Sequence, residues 1–116
     1  MGDYSIEEKM VKCAVDALLD KMAHDVVSLK VGNVTVITDY FILATANSGS
    51  QLDAMIDGAE EAMKNDGYTL YRREGRSNSG WVLLDYGEVV IHLFTKEMRE
   101  FYNLDGSWRD APKQSY

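Results

Sequence analysis

The sequence predicts an α/β fold: a single domain over residues 1–116 with a mixed central β-sheet flanked by helices, ordered α-β-β-α-β-β-β-α. Three observations predict it. Two stretches, from Ser5 and from Ser48, repeat apolar residues at helical spacing. Tyr40-Phe41-Ile42-Leu43-Ala44-Thr45 is apolar without alternation, as in a strand covered on both faces, and such a strand needs helices on both sides of its sheet. Trp81–Tyr86 and Val89–Phe94 are two strong strand patterns around Gly87-Glu88, which makes an antiparallel hairpin.

The elements follow in order. Ser5 and Glu8 form a Ser-x-x-Glu capping box, and the helix behind it runs to about Met22. Its stripe is Ile6, Met10, Cys13, Ala14, Ala17 and Leu18, which makes Cys13 a core residue and not a nucleophile. Asp25–Val31 is short and β-branched, and Gly32-Asn33 turns the chain into the apolar strand Tyr40–Thr45. Asn47-Ser48-Gly49-Ser50-Gln51 breaks that strand, and Ser48 with Gln51 repeats the capping spacing. Leu52, Met55, Ile56, Ala59 and Met63 then face inward until Asp66-Gly67 closes the helix, which is long enough to cross back to a parallel strand. Tyr68–Arg73 is a short strand, and Glu74–Gly80 is the most loop-like stretch of the chain. After the hairpin, Thr95 caps a last helix to about Leu104 with Met98, Phe101 and Tyr102 inward. Residues 105–116 are expected to be an irregular tail containing the only proline, Pro112.

Composition narrows the function. The chain has 116 residues, 46% hydrophobic and 27% charged, so it can bury a core without a metal or disulfide, and its one cysteine could not make an internal disulfide. A reducing compartment is the expectation. Nineteen acidic against twelve basic residues give a net charge of -7, which disfavours a grip on nucleic acid through phosphates and suits a basic protein partner. No apolar run approaches the roughly 20 residues that span a bilayer. The acidic start Met1-Gly2-Asp3-Tyr4 does not resemble a signal peptide, so a cytoplasmic protein is expected.

The catalytic inventory is thin. The histidines, His24 and His92, lie outside any His-Glu-x-x-His or Cys-x-x-Cys pattern. Gly75-Arg76-Ser77-Asn78-Ser79 misses the nucleophile elbow by its last glycine, and no glycine-rich phosphate loop is present. Ser48-Gly49-Ser50, at a helix start after a central strand, offers free amides to a phosphate. Nucleotidyl transfer would then need carboxylates converging on Mg²⁺, yet the next segment, Tyr68-Thr69-Leu70-Tyr71-Arg72-Arg73, carries two guanidiniums instead. Asp39 and Asp85 are isolated acids with the character of turn residues. No catalytic residue, metal site or cofactor is therefore expected. Arg72, Arg73 and Arg76, near Tyr68 and Tyr71, are the one basic cluster, a place for a minor RNA contact if not simply a solvated strand end.

The C-terminal half has the composition of a binding surface, because Trp81, Tyr86, Phe94, Phe101, Tyr102 and Trp108 crowd into it. Alternation puts Trp81, Leu83 and Asp85 on one strand face and Val82, Leu84 and Tyr86 on the other; His92 and Phe94 likewise oppose Ile91 and Leu93. Trp81, Asp85, His92 and Phe94 are therefore expected on one partner-facing side.

Three blocks carry a resemblance: Asp39–Thr45, the run from Trp81 to Phe94, and Arg99-Glu100-Phe101-Tyr102-Asn103-Leu104 followed by Trp108-Arg109-Asp110-Ala111-Pro112. Over about Ser5 to Pro112 the chain resembles the ribosomal silencing factor family, also called Iojap. The resemblance implies a nucleotidyltransferase-like fold without transferase activity. It also implies a translational repressor that binds the large ribosomal subunit at ribosomal protein number fourteen and sterically blocks association with the small subunit. By position it places Trp81, Asp85, Tyr86, His92, Phe94, Arg99, Tyr102, Leu104 and Trp108 in the family's C-terminal surface, some as internal supports, with Glu97 and Glu100 as acids for a basic partner. Homodimerisation of the free protein through the same aromatic surface is compatible with it. The chain departs from the family at Ala46-Asn47-Ser48-Gly49-Ser50-Gln51, where a Gly-Thr-Ser run and a basic residue are usual, at Arg109, usually glycine, and in the short side chains of Asp105-Gly106-Ser107. Two other readings stand beside it: a nucleotidyltransferase-like enzyme with a non-standard metal site, and a protein-binding module with a different partner.

Overall fold

The structure, a computed structural model, describes residues 5–116; the acidic start at Met1–Tyr4 lies outside the described residues. Helix α1 (Ile6–Asp20) opens on the capping box, with the Glu8 amide donating to Ser5 Oγ at 3.1 Å. Strands β1 (His24–Lys30) and β2 (Tyr40–Ala46) follow, then helix α2 (Gly49–Asn65) and the short strand β3 (Arg72–Glu74). A 3-10 turn at Ser77–Ser79 leads into the hairpin β4 (Trp81–Asp85) and β5 (Val89–Thr95). The chain closes with α3 (Lys96–Tyr102), α4 (Leu104–Ser107) and β6 (Lys113–Ser115).

The strands form one mixed six-stranded sheet in the order β3-β4-β5-β2-β1-β6. Only β2 and β5 pair in parallel, and α2 lies in the connection between them, as parallel neighbours require. The hairpin pairs Trp81 with Phe94 and Asp85 with Val90. Every second residue of the central strands meets α1 and α2: Ile42, Ala44, Val82, Leu84, Ile91 and Leu93 join Leu18, Leu52, Ile56 and Met63 in one cluster. The intervening residues Phe41, Leu43, Val90 and Phe94 form a second cluster with Val27, Leu29 and Val31. Both faces are covered, which is why β2 reads as apolar throughout.

Several boundaries differ from expectation. The first helix stops at Asp20 because Met22 takes a left-handed φ of 62°, and Ile6 is exposed instead of lying in the stripe. The third strand shrinks to Arg72–Glu74. The last helix ends at Tyr102, where Asn103, with φ 47°, turns the chain and its side chain caps α4 by accepting from the Gly106 amide at 3.2 Å. Asparagine tolerates that conformation better than most residues. Phe101 points outward, since Met98 and Tyr102, four apart, share the inner side of a helix and Phe101 shares the other with Glu97.

Residues 105–116 are not an irregular tail. β6 pairs with the outer edge of β1, Ser115 opposite Val27 and Lys113 opposite Leu29. The Lys30 amide donates to Pro112 O at 2.9 Å, the Tyr116 amide to Val26 O at 2.9 Å, and Tyr116 shares a 2.9 Å hydrogen bond with Ser28. An uncovered β1 would leave a row of unpaired backbone groups, and this polar three-residue strand satisfies them. No alternation in Lys113-Gln114-Ser115 announces it.

A candidate protein-docking surface

The second cluster is roofed by α3, α4 and Trp108, with Trp81, Leu83, Met98 and Leu104 packed at its margin. Its aromatic rings form a continuous chain. Trp108 meets Phe41 edge-on at 5.2 Å, Phe41 meets His92 at 4.9 Å, and Trp81 stacks on Phe94 at 5.4 Å. Trp81 also touches Tyr102 at 4.3 Å, and Tyr102 meets Phe101 edge-on at 5.1 Å. The chain of rings thus runs from the interior to solvent: Tyr102 is 42% and Phe101 76% exposed.

Beside Trp81 a groove of about 250 Å³ is lined by Glu74, Gly75, Ser79, Trp81, Leu83 and Tyr102. Gly75, at φ 84°, sits so close to the Trp81 carbonyl that no side chain would fit there. The groove therefore has a fixed wall. Ser79 Oγ donates to Arg76 O at 2.7 Å and holds the 3-10 turn against the strand.

The expected site residues separate into four groups. Trp81, half-buried, and the exposed Tyr102, Glu97 and Glu100 lie on the surface around α3. Leu104 and Trp108 are partly buried and pack onto the second cluster. Tyr86, His92 and Phe94 are corrected to internal supports, at 2%, 4% and 0% exposure. Tyr86 even faces the opposite side of the sheet, among the residues under α1 and α2, where burial pushes its hydroxyl up to about 12. Asp85 ends β4 about 13 Å along the strand from Trp81, at about 3.3 Å per residue, and its carboxylate accepts from the Gly87 amide at 2.8 Å. It closes the hairpin turn, so the structure does not bring it to the groove.

Arg99 is likewise an internal clamp. Its guanidinium donates in bidentate fashion to Asp105 at 2.8 and 3.0 Å, to Asp25 O at 2.9 Å and to Thr45 Oγ1 at 2.9 Å. Asp25 has a φ of 48° at an irregularity in the β1–β2 register. The guanidinium beside Asp105 holds that carboxyl below its ordinary value. One side chain thus ties β1, β2, α3 and α4 together and fixes the roof over the aromatic cluster.

Two contributors went unrecognised in the sequence. The sequence reading puts Phe101 inward, although the Met98–Tyr102 spacing identifies it as the outward neighbour. It treats Phe41 only as a strand residue, although the ring links His92 to Trp108.

The features with catalytic appearance are otherwise engaged. Burial, aided by Asp66, pushes the Cys13 thiol up to about 12, which leaves no thiolate near neutrality. At the start of α2, Ser48 Oγ accepts from the Gln51 amide at 3.1 Å. The Gln51 side chain accepts from the Asn47 amide and donates to Lys21 O and Met22 O, lacing that loop to the end of α1. Arg72 pairs with Glu74 and Arg73 with Glu60, both at 3.2 Å. Among the described residues no three His, Cys, Asp or Glu side chains gather as a metal set, and no helix is long and apolar enough to cross a membrane.

The ribosomal silencing factor RsfS of Halalkalibacterium halodurans is 36% identical over 105 residues, 90% of each chain. A crystal structure of a Chromobacterium violaceum protein superposes with a TM-score of 0.86 at 28% identity, covering 90% of this chain and 87% of that one. A mouse protein named mitochondrial assembly of ribosomal large subunit protein 1 is 31% identical over 99 residues, 81% of this chain and 42% of its own length. The profile of the family described as ribosomal silencing factor during starvation matches residues 4–116, and this chain belongs to that family.

Proposed function

We propose that the chain is a non-enzymatic translational repressor that docks on the large ribosomal subunit at ribosomal protein number fourteen and sterically blocks the small subunit. The observation that carries this reading is the half-buried Trp81 in a groove that Tyr102 also lines, with exposed Phe101 edge-on to Tyr102 and the exposed acids Glu97 and Glu100 on the same helix. Aromatic anchors in a partly desolvated pocket dominate protein interfaces, and an acidic rim speeds and orients docking on a basic partner. Repression by occupancy needs no chemistry, in keeping with a raised Cys13 thiol and arginines, already paired to glutamates, where a transferase would need carboxylates. The same aromatic surface would serve a homodimer, which would have to open before docking. Among the described residues Arg76 has no carboxylate at ion-pair distance, unlike Arg72 and Arg73, and it is the member of the arginine cluster best placed to touch ribosomal RNA. The protein would act in the cytoplasm, where ribosomal subunits join.

Co-sedimentation with separated large and small subunits, then with both mixed, tests the reading. The expected result is binding to the large subunit alone and fewer joined ribosomes. Trp81→Ala should weaken that binding by about 2 kcal/mol, or about thirtyfold, with the fold intact by circular dichroism. Equal binding to both subunits, or none, would overturn the reading.

A further inference from the structure

We infer that His92 is a positioning residue that sets the angle of the Trp81 indole in the docking groove. The inference rests on the reading of Trp81 as a partner contact.

Trp81 Nε1–H donates to His92 Nδ1 at 3.2 Å. An acceptor at Nδ1 puts the ring proton of neutral histidine on Nε2. That Nε2 is buried and, among the described residues, has no hydrogen-bond partner. A buried unsatisfied N–H is unfavourable, so for the fold alone an apolar ring of the same size would serve better at this position. Phe41 edge-on at 4.9 Å and Phe94 stacked at 6.2 Å already supply an aromatic lining for such a ring. What histidine adds over phenylalanine is the one acceptor that reaches Trp81. Burial keeps the imidazole neutral, with its pKa lowered to about 4, so that acceptor persists throughout the physiological range.

Stacking on Phe94, with the rings 21° apart, restrains the tilt of the indole but allows it to slide or rotate in its own plane. The hydrogen bond removes that freedom. It holds the nitrogen edge inward and leaves the rest of the ring to the groove lined by Leu83 and Tyr102. A pre-set anchor loses less conformational freedom on docking, so affinity gains without any new contact to the partner.

The test compares Trp81→Ala, His92→Phe and His92→Asn in the full chain, using purified large ribosomal subunits as the probe. Asparagine puts an acceptor oxygen near the position of Nδ1 but leaves a void, whereas phenylalanine fills the volume and removes the acceptor. The readouts are affinity, thermal midpoint and solvent exchange of the Trp81 indole proton, its resonance assigned by its loss in Trp81→Ala. His92→Phe is expected to keep or raise the midpoint, speed exchange of that proton and lower affinity about three- to tenfold. His92→Asn is expected to lower the midpoint yet keep slow exchange and near wild-type affinity. A merely structural histidine would give the reverse ranking, with affinity following stability, and that result overturns the inference. So does unchanged affinity in His92→Phe when Trp81→Ala has lost binding. If Trp81→Ala itself binds like the wild type, the docking assignment has failed and the inference falls with it.

Discussion

The face of the sheet under α1 and α2 and the face under the C-terminal segment are lined by alternate residues of the same strands, yet they are covered very differently. On the first, aliphatic residues of β2, β4 and β5 meet two long helices, and the cluster is almost entirely sealed. On the second, the buried set is smaller and rich in rings, and its roof is two short helices and Trp108. Close-packed aliphatic side chains stabilise without directing anything outward. Stacked rings under a thin cover can reach from core to solvent, and Phe94, Trp81, Tyr102 and Phe101 do so in three steps. One face holds the fold together; the other spends part of its burial on a presentable surface.

Truncations on the two faces of β5 should separate their roles. Ile91→Ala and Phe94→Ala each empty a fully buried site and should destabilise by about 2–5 and 3–5 kcal/mol respectively, read from denaturant midpoints. The folded fraction of Ile91→Ala should still bind large subunits normally. That of Phe94→Ala should not, because the ring beneath Trp81 is gone. Equal binding by the two would mean that the faces are not functionally distinct.

A smaller effect should follow from opening the roof. Arg99→Met keeps much of the side-chain length but abandons the Asp105 pair and two further acceptors, with the Arg99 side chain only 11% exposed. The expected loss is about 2–3 kcal/mol, because Asp105, still 28% exposed, can regain some water. Backbone hydrogen exchange should rise in α3, α4 and β6 while α1 and α2 stay protected.

Acid should also act on the aromatic face first. The His92 pKa falls from its ordinary 6.5 to about 4 in the folded protein, through burial. Between those values the unfolded chain binds the proton more readily, so stability is greatest above pH 6.5 and drops as pH falls, by at most about 1.4 kcal/mol per pH unit. The drop in wild type should exceed that in His92→Phe by about 2 kcal/mol at pH 5. Parallel curves for the two proteins would show that the imidazole does not titrate with folding. Asp105, held low by Arg99, adds its own loss only at more acidic pH and is common to both.

How much of this was legible before folding depended on how far apart the deciding residues lie. The antiparallel hairpin, the capping box at Ser5, the N-cap at Ser48 and the two-sided burial of β2 follow from neighbours along the chain, and each was readable. The face assignments of Trp81, Leu83 and Tyr86 were also readable, since alternation needs only the strand itself. Burial of His92 and Phe94 was not, because the cover over their face is Trp108 and the α3–α4 turn, whose position is set by Arg99 reaching back to Asp25, 74 residues away. The pairing of β6 with β1 is equally remote and is carried by backbone groups, which leave no side-chain pattern. The family resemblance points to a C-terminal block of sequence; it does not tell contact residues from supports.

The smallest expected change in stability is also the most direct reading of the surface. Phe101 is 76% exposed, touches Tyr102 edge-on at 5.1 Å, and stands one turn from Glu97 and next to Glu100 in α3. Its removal uncovers almost nothing, so Phe101→Ala should leave stability within about 0.5 kcal/mol of wild type. If the ring is only an unremarkable exposed apolar residue, large-subunit binding should not change either. If it extends the Trp81–Tyr102 anchor onto the partner, affinity should fall by more than about 1 kcal/mol, roughly fivefold, and chiefly through faster dissociation. Glu100→Gln provides the contrast on the same helix: loss of an exposed rim charge should slow association and weaken its salt dependence, with little change in dissociation. A pair of variants one residue apart that moves opposite rate constants would separate the anchor from the rim. Identical kinetics in both would place the partner elsewhere on the protein.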